Sequence, residues 1–148
     1  FSVRLRTDLG FGDNLPFYRN YFAGGYGSVR GYRDNTLGPR SPSFVGDLDP
    51  EIVGGNVLVE NSAELIVPTP FAKNNRQLRT VLFVDSGMVY DRGSAAYGFD
   101  LSDLRYSAGV SLAWLTAIGP LSFTISKPFN KQLNDETQSF QFTIGQPF

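Results

Sequence analysis

The chain has 148 residues, 41% hydrophobic and 18% charged, with 13 basic against 14 acidic side chains and a formal charge of −1. That is the length of one domain, and near-neutrality gives no support to nucleic-acid binding, which needs a basic excess. Cysteine and histidine are both missing, which excludes disulfides, thiolate chemistry, histidine-based triads and most transition-metal sites. With 16 glycines, 13 phenylalanines and 7 tyrosines beside a single methionine, the composition does not suit a helical protein. A mean hydropathy of −0.16 is too low for a bundle of membrane helices. It leaves room for a membrane β-barrel, whose strands give only alternate residues to lipid. The chain starts at Phe1 with no secretion leader, so it is expected to be mature or cut from something longer.

Period-2 alternation predicts six strands. In residues 1–11, Phe1, Val3, Leu5, Leu9 and Phe11 oppose Ser2, Arg4, Arg6 and Asp8. Residues 56–67 set Val57, Val59, Ala63, Leu65 and Val67 against Glu60, Ser62 and Glu64. Residues 79–90 set Leu82, Val84, Met88 and Tyr90 against Arg79, Phe83, Asp85 and Gly87. Residues 104–115 set Leu104, Tyr106, Ala108, Val110, Leu112 and Trp114 against Arg105, Ser107, Gly109 and Ser111. Residues 121–127 oppose Leu121, Phe123 and Ile125 to Ser122, Thr124 and Ser126. Residues 139–148 oppose Phe140, Phe142, Ile144 and Phe148 to Gln141, Thr143 and Gly145.

Residues 68–77, 91–103 and 129–138 read as connectors, and 116–120 as a tight turn. The connector 12–55 is far longer, at 44 residues, and loops of that length usually carry function. The stretch 106–126 is 21 residues without a charge, long enough for a membrane helix. Gly119-Pro120 interrupts it and small residues alternate with large ones, so two strands and a turn fit better.

Eight charges (Arg4, Arg6, Asp8, Glu60, Glu64, Arg79, Asp85 and Arg105) fall on the polar faces and none on the apolar faces. A soluble β-sandwich alternates in the same way. Strands of ten to twelve residues exceed the usual five or six and match tilted membrane strands of about 9–11. Aromatics also recur eight residues apart, as Tyr106/Trp114 and Phe140/Phe148. At ~3.3 Å per residue and ~40° tilt that is about 20 Å, close to the separation of two interfacial girdles. Six strands are too few to close round a lumen, so the fold is read as the C-terminal part of a larger antiparallel barrel. Alone, its open edges would self-associate.

Among the motifs, the segment 16–40 is glycine-rich but lacks GxGxxG, because Arg30 stands where the third glycine belongs, and it has no GK[ST]. Its arginines interleaved with aromatics could stack on RNA, but the neutral chain gives no field to gather it. Asp47, Asp49 and Glu51 lack EF-hand spacing. Glu60 and Glu64 share a face at roughly 13 Å, too far apart even for inverting glycosidases, which need about 6.5–9.5 Å. Glu64 and Asp85 lie on the polar faces of consecutive strands, where two half-buried carboxylates require a cation. Arg30 in its glycine-rich loop is one candidate; Arg4, Arg6, Arg79 and Arg105 are rivals.

The segment YFAGGYGSVRGYRDNTLGP (21–39) resembles the sixth extracellular loop of the Omp85 outer-membrane assembly barrels, whose signature is VRGF or VRGY. The similarity continues through ELIVPTPF, FVDSGMVYD, SAGVSLAW, GPLSFTISKPF and FQFTIGQPF, in the order of the last six of about sixteen strands. Several things follow from the resemblance. The fold would be an all-β, antiparallel six-strand portion of a transmembrane barrel in the bacterial outer membrane. The motif Val29, Arg30, Gly31 and Tyr32 would dock inside the lumen, with Glu64 and Asp85 as partners of Arg30 and with Phe83 and Gly87 in support. The last strand, with Phe140, Phe142, Ile144 and Phe148, would line a lateral seam where client strands add by β-augmentation. The implied role is non-enzymatic insertion of β-barrel proteins, without cofactor or metal. Its partners would be outer-membrane lipids, nascent barrels and, through POTRA domains outside these residues, assembly lipoproteins. A related two-partner secretion barrel or a passive porin-like barrel are the alternatives. Lys127 points lipidward by parity and is expected to snorkel near the outer rim.

Overall fold

Alternation on this scale can be satisfied by only one arrangement, a sheet with a greasy face and a wet one. In the computed structural model, which describes residues 2–13, 16–41, 50–69, 77–93 and 98–145, the strands are β1 (Ser2–Phe11), β2 (Val57–Val67), β3 (Leu78–Tyr90), β4 (Arg105–Thr116), β5 (Gly119–Phe129) and β6 (Phe140–Ile144). They form one antiparallel sheet in the order β1-β2-β3-β4-β5-β6, each strand paired with its neighbours in sequence. Among the described residues no helix is long and apolar enough to cross a membrane; 106–126 is instead β4, a turn and most of β5.

Register puts eight of the nine strand charges on one face; the ninth, Lys127, is on the other. Arg4 pairs with Glu64 and Asp8 with Glu60; Glu64 sits opposite Phe83, and Asp85 opposite Ser107. The other face carries Val110 opposite Ile125 and Trp114 opposite Leu121, then Phe123 opposite Phe142. Val110, Trp114, Ile125 and Phe142 are all exposed there, and Leu112 is half-buried. None of the described residues forms a second layer over this band. Tyr106 stacks on Phe129 at one end of it, with ring centroids 6.3 Å apart. The Lys127 ammonium lies on this face too, 5.7 Å from the Phe129 ring.

Strand bounds differ from the sequence reading mainly in β5, which runs two residues further at each end. Pro120 ends the expected 116–120 turn and Pro128 lies just beyond the expected strand. They lie near the strand's two ends, where a lost ladder hydrogen bond is tolerated, and both keep their register opposite Leu115 and Ser107. The β4–β5 turn therefore shrinks to Ala117-Ile118, closed by Gly119 at φ 118° and by a hydrogen bond from the Thr116 hydroxyl to the Gly119 carbonyl at 2.7 Å. The first residue of the predicted last strand, Ser139, lies just before β6, and Phe148 lies outside the described residues.

The outward face makes a quantitative demand. In a complete barrel carrying this sequence, refolded into lipid vesicles, Val110→Arg at mid-β4 is expected to cost ~2–4 kcal/mol by guanidinium titration. A cost below ~0.5 kcal/mol would mean that water, not hydrocarbon, meets this side.

Candidate functional site

The described residues of the long connector between β1 and β2 fold back on themselves and lie on the polar face. Isolated bridges Tyr21–Gly55, Ala23–Leu37 and Arg40–Ile52 hold its two sides together. Its own small core of Ala23, Val29, Tyr32 and Leu37 packs on Val89, with Tyr21 and Leu58 alongside. Thus the loop is not a solvated excursion but the covering of the sheet's inner side.

At its tip Arg30 enters a socket built by β2 and β3. Its Nε is 2.6 Å from Asp85 Oδ2 and its Nη2 is 2.8 Å from Oδ1, a bidentate fork; its backbone N–H donates to Oδ2 at 3.2 Å. The remaining guanidinium nitrogen, Nη1, reaches Glu64 Oε1 at 2.9 Å. Nη2 also donates to the Ser62 hydroxyl at 3.2 Å, and that hydroxyl donates to Asp85 Oδ1 at 2.6 Å. The Phe83 ring lies under the guanidinium, 3.6 Å from its centroid. Glu64 is shared with Arg4 at 3.3 Å, so the cluster holds two positive and two negative charges.

Burial decides how much this matters. The Asp85 side chain is 0% exposed and Arg30 7%, whereas Arg4 is 46% exposed. A buried ion loses several kcal/mol of hydration, which only a near-complete set of partners can offset. Arg30 has that set, including the ring, worth up to ~2 kcal/mol when desolvated.

Two glycines make the close approach possible. A Cβ at Gly87 would fall 2.5 Å from Val29 Cγ2, and one at Gly109 would fall 2.7 Å from Phe83 Cζ and 2.3 Å from the Ile125 carbonyl. Beyond the socket, Ser28 donates to Glu60, and Arg6 donates to the Gly27 carbonyl at 2.7 Å. Gly31 turns the chain at φ 93° against Ser107 and Ser126. The Tyr32 hydroxyl then donates to the Phe129 carbonyl at 2.6 Å. Burial, aided by the negative charge of Asp135, pushes the Tyr32 phenol up to about 12, so it keeps the proton it donates.

Of the sequence-predicted residues, Arg30, Glu64, Asp85 and Phe83 converge on one point, and Val29 packs against Gly87. Among the rival cations, Arg4 reaches Glu64 only at the rim, and Arg6 pairs with Asp8 at 2.7 Å. Arg105 turns away to Asp135, at 2.9 Å, and to Asp103, at 3.8 Å; Arg79 has no ion pair among the described residues. Phe140, Phe142 and Ile144 lie on the outward face of β6. Asp47, Asp49 and Phe148 fall outside the described residues. Ser62, Gly109, Glu60 with Ser28, and the Arg105–Asp135 pair were not singled out as partners from the sequence. For Ser62 the signal was present: it stands between Glu60 and Glu64 on the same face.

Removing one partner separates the buried pair from the exposed one. Asp85→Ala in a complete barrel should cost ~3–5 kcal/mol and expose the bond after Arg30 to trypsin. Arg4→Ala should cost no more than ~1 kcal/mol and leave that bond protected. Equal effects would show that the socket is as wet as its rim.

Comparison with known proteins places the chain. The Omp85 superfamily domain matches residues 1–148. The chain is 38% identical, over 99% of its length, to the outer membrane protein assembly factor BamA of Neisseria meningitidis, and 32% identical over 94% to that of Nitratidesulfovibrio vulgaris. It spans 21% and 16% of those two proteins. The crystal structure of BamA from Haemophilus ducreyi lacking POTRA domains 1-3 superposes with a TM-score of 0.84 at 34% identity, over 95% of this chain and 30% of that one. The fold is therefore shared with a solved barrel of this kind, and the chain belongs to the Omp85 superfamily.

Proposed function

We propose that this chain is the C-terminal part of the barrel of an outer-membrane assembly factor, and that it takes part in inserting β-barrel proteins into that membrane. The observation that carries the reading is the Arg30 socket, a buried charge cluster that clamps a long loop to the inner face. Support comes also from the relatives, which are named as assembly factors. Such work needs no bond chemistry. An exposed strand edge offers unpaired backbone donors and acceptors, and a client strand adds to it by β-augmentation. The loop-docking residues are Val29, Arg30, Gly31 and Tyr32, with Glu64 and Asp85 as counter-charges and Phe83 and Gly87 as the shape that admits them. β6, with Phe140, Phe142 and Ile144 toward lipid, supplies the edge. The partners are outer-membrane lipids and nascent barrels, with the assembly lipoproteins engaged mostly through POTRA domains.

The test is Arg30→Ala in a full-length barrel reconstituted in proteoliposomes. Leaving the buried Asp85 without its cation costs several kcal/mol of loop docking, so client folding should slow by about tenfold or more. Normal client folding with trypsin showing the loop released would favour a passive, porin-like barrel instead.

A further inference from the structure

The last strand of the sheet is the least supported by its neighbour. β6 has 5 residues against 11 in β5. The long loop supplies the missing support from the inner side. Tyr32 bridges Thr137; the Arg33 N–H donates to the Glu136 carbonyl at 2.9 Å, and the Gln138 N–H donates to the Gly31 carbonyl at 2.8 Å. One turn into the strand, Gln141 Nε2 donates to the Tyr32 carbonyl at 3.0 Å, and Gln141 is 4% exposed.

The surroundings single this bond out. The inner wall of β4 and β5 is made of small hydroxyls: Ser111 and Thr124 bond each other at 2.7 Å, while the Ser107, Ser122 and Ser126 hydroxyls have no partner among the described residues. Among the described residues, Gln141 is the one side chain of β4–β6 that hydrogen-bonds the long loop. Its acceptor is two residues from Arg30, across the Gly31 turn whose positive φ fixes the direction of both. The ionic socket on β2 and β3 and the amide bond on β6 therefore grip opposite sides of one short rigid turn.

We infer that Gln141 is a positioning residue of the edge strand, which ties β6 to the docked loop so that the edge is held in place only while Arg30 occupies its socket. Withdrawing Arg30 withdraws the Tyr32 carbonyl and the Tyr32–Thr137 bridge with it. β6 then loses its ties on the inner side, and its short ladder to β5 frays. This rests on the assembly reading for its purpose, since it makes loop docking the control on the edge to which a client strand adds.

Hydrogen exchange on a full-length barrel in lipid, without client, tests the link. Gln141→Met keeps the length and removes the donor; it should speed exchange of the β6 amides roughly fivefold, the worth of one net hydrogen bond, and leave β2 and β3 unchanged. Arg30→Lys keeps the charge but loses the fork, and should speed exchange of the same β6 amides. The double variant should exchange no faster in β6 than Arg30→Lys alone, because the latch is already gone. Unchanged β6 protection in either single variant, or additive effects in the double, overturns the proposal. If Gln141→Met does not fold, Gln141→Glu, which cannot donate when ionised, takes its place with the same expectation. Failure of both to fold overturns it as well, by making Gln141 a general packing residue. Since no client is present, a negative result leaves the assembly reading intact. Failed client insertion beside normal exchange coupling would count against that reading alone.

Discussion

A guanidinium carried on a loop and buried between two carboxylates is the interaction on which the arrangement depends. Without Arg30, β2 and β3 would hold Asp85 fully buried with no charge to balance it, and Glu64 with only the more exposed Arg4; two such carboxylates repel. With it, the same groups become a fixed point for the loop. The surrounding features serve this contact: Phe83 as a floor, Gly109 as the gap that lets the ring lie flat, Gly87 as the space for Val29. Electrostatics here specifies position more than it adds stability, since buried pairs tend to do little better than break even against their hydration.

The two faces of the sheet are governed by different physics. Outward, Val110, Trp114, Ile125 and Phe142 make few specific contacts and rely on exclusion from water. Inward, the polar side chains rely on directed partners, and the loop supplies many of them. A one-residue slip between strands would exchange these environments entirely, so register is set by both faces together. The paired strands of β1 to β5 keep a continuous register with no bulge between consecutive partners.

Much of this was legible in the sequence because alternation is a local signal. Strand phase, the eight inward charges and the outward aromatics needed only parity. The acids Glu64 and Asp85 announced themselves as a pair because consecutive strands bring their polar faces together. Which arginine would answer them was not legible from residue pattern alone, since Arg4, Arg6, Arg79 and Arg105 share the face. That choice depends on the path of a loop with no periodicity, and resemblance rather than spacing pointed to Arg30. The same limit hid Ser28 with Glu60 and Arg105 with Asp135, whose partners lie far apart in sequence and are brought together by loops. The expected bounds of β5 fell short at Pro120 and Pro128, because alternation alone does not say where in the ladder a proline is tolerated.

The turn at Ala117-Ile118 has a consequence in time. β4 and β5 are joined by two residues, so their hairpin can zip within microseconds of the chain becoming free. Arg30 and Asp85 are separated by 55 positions, and their meeting must wait for a large loop closure and for β2 to find β3. During that interval the acids remain hydrated on a partly formed wall. Capture of the arginine therefore follows formation of the β4–β5 hairpin, which makes the loop one of the last parts of the wall to settle.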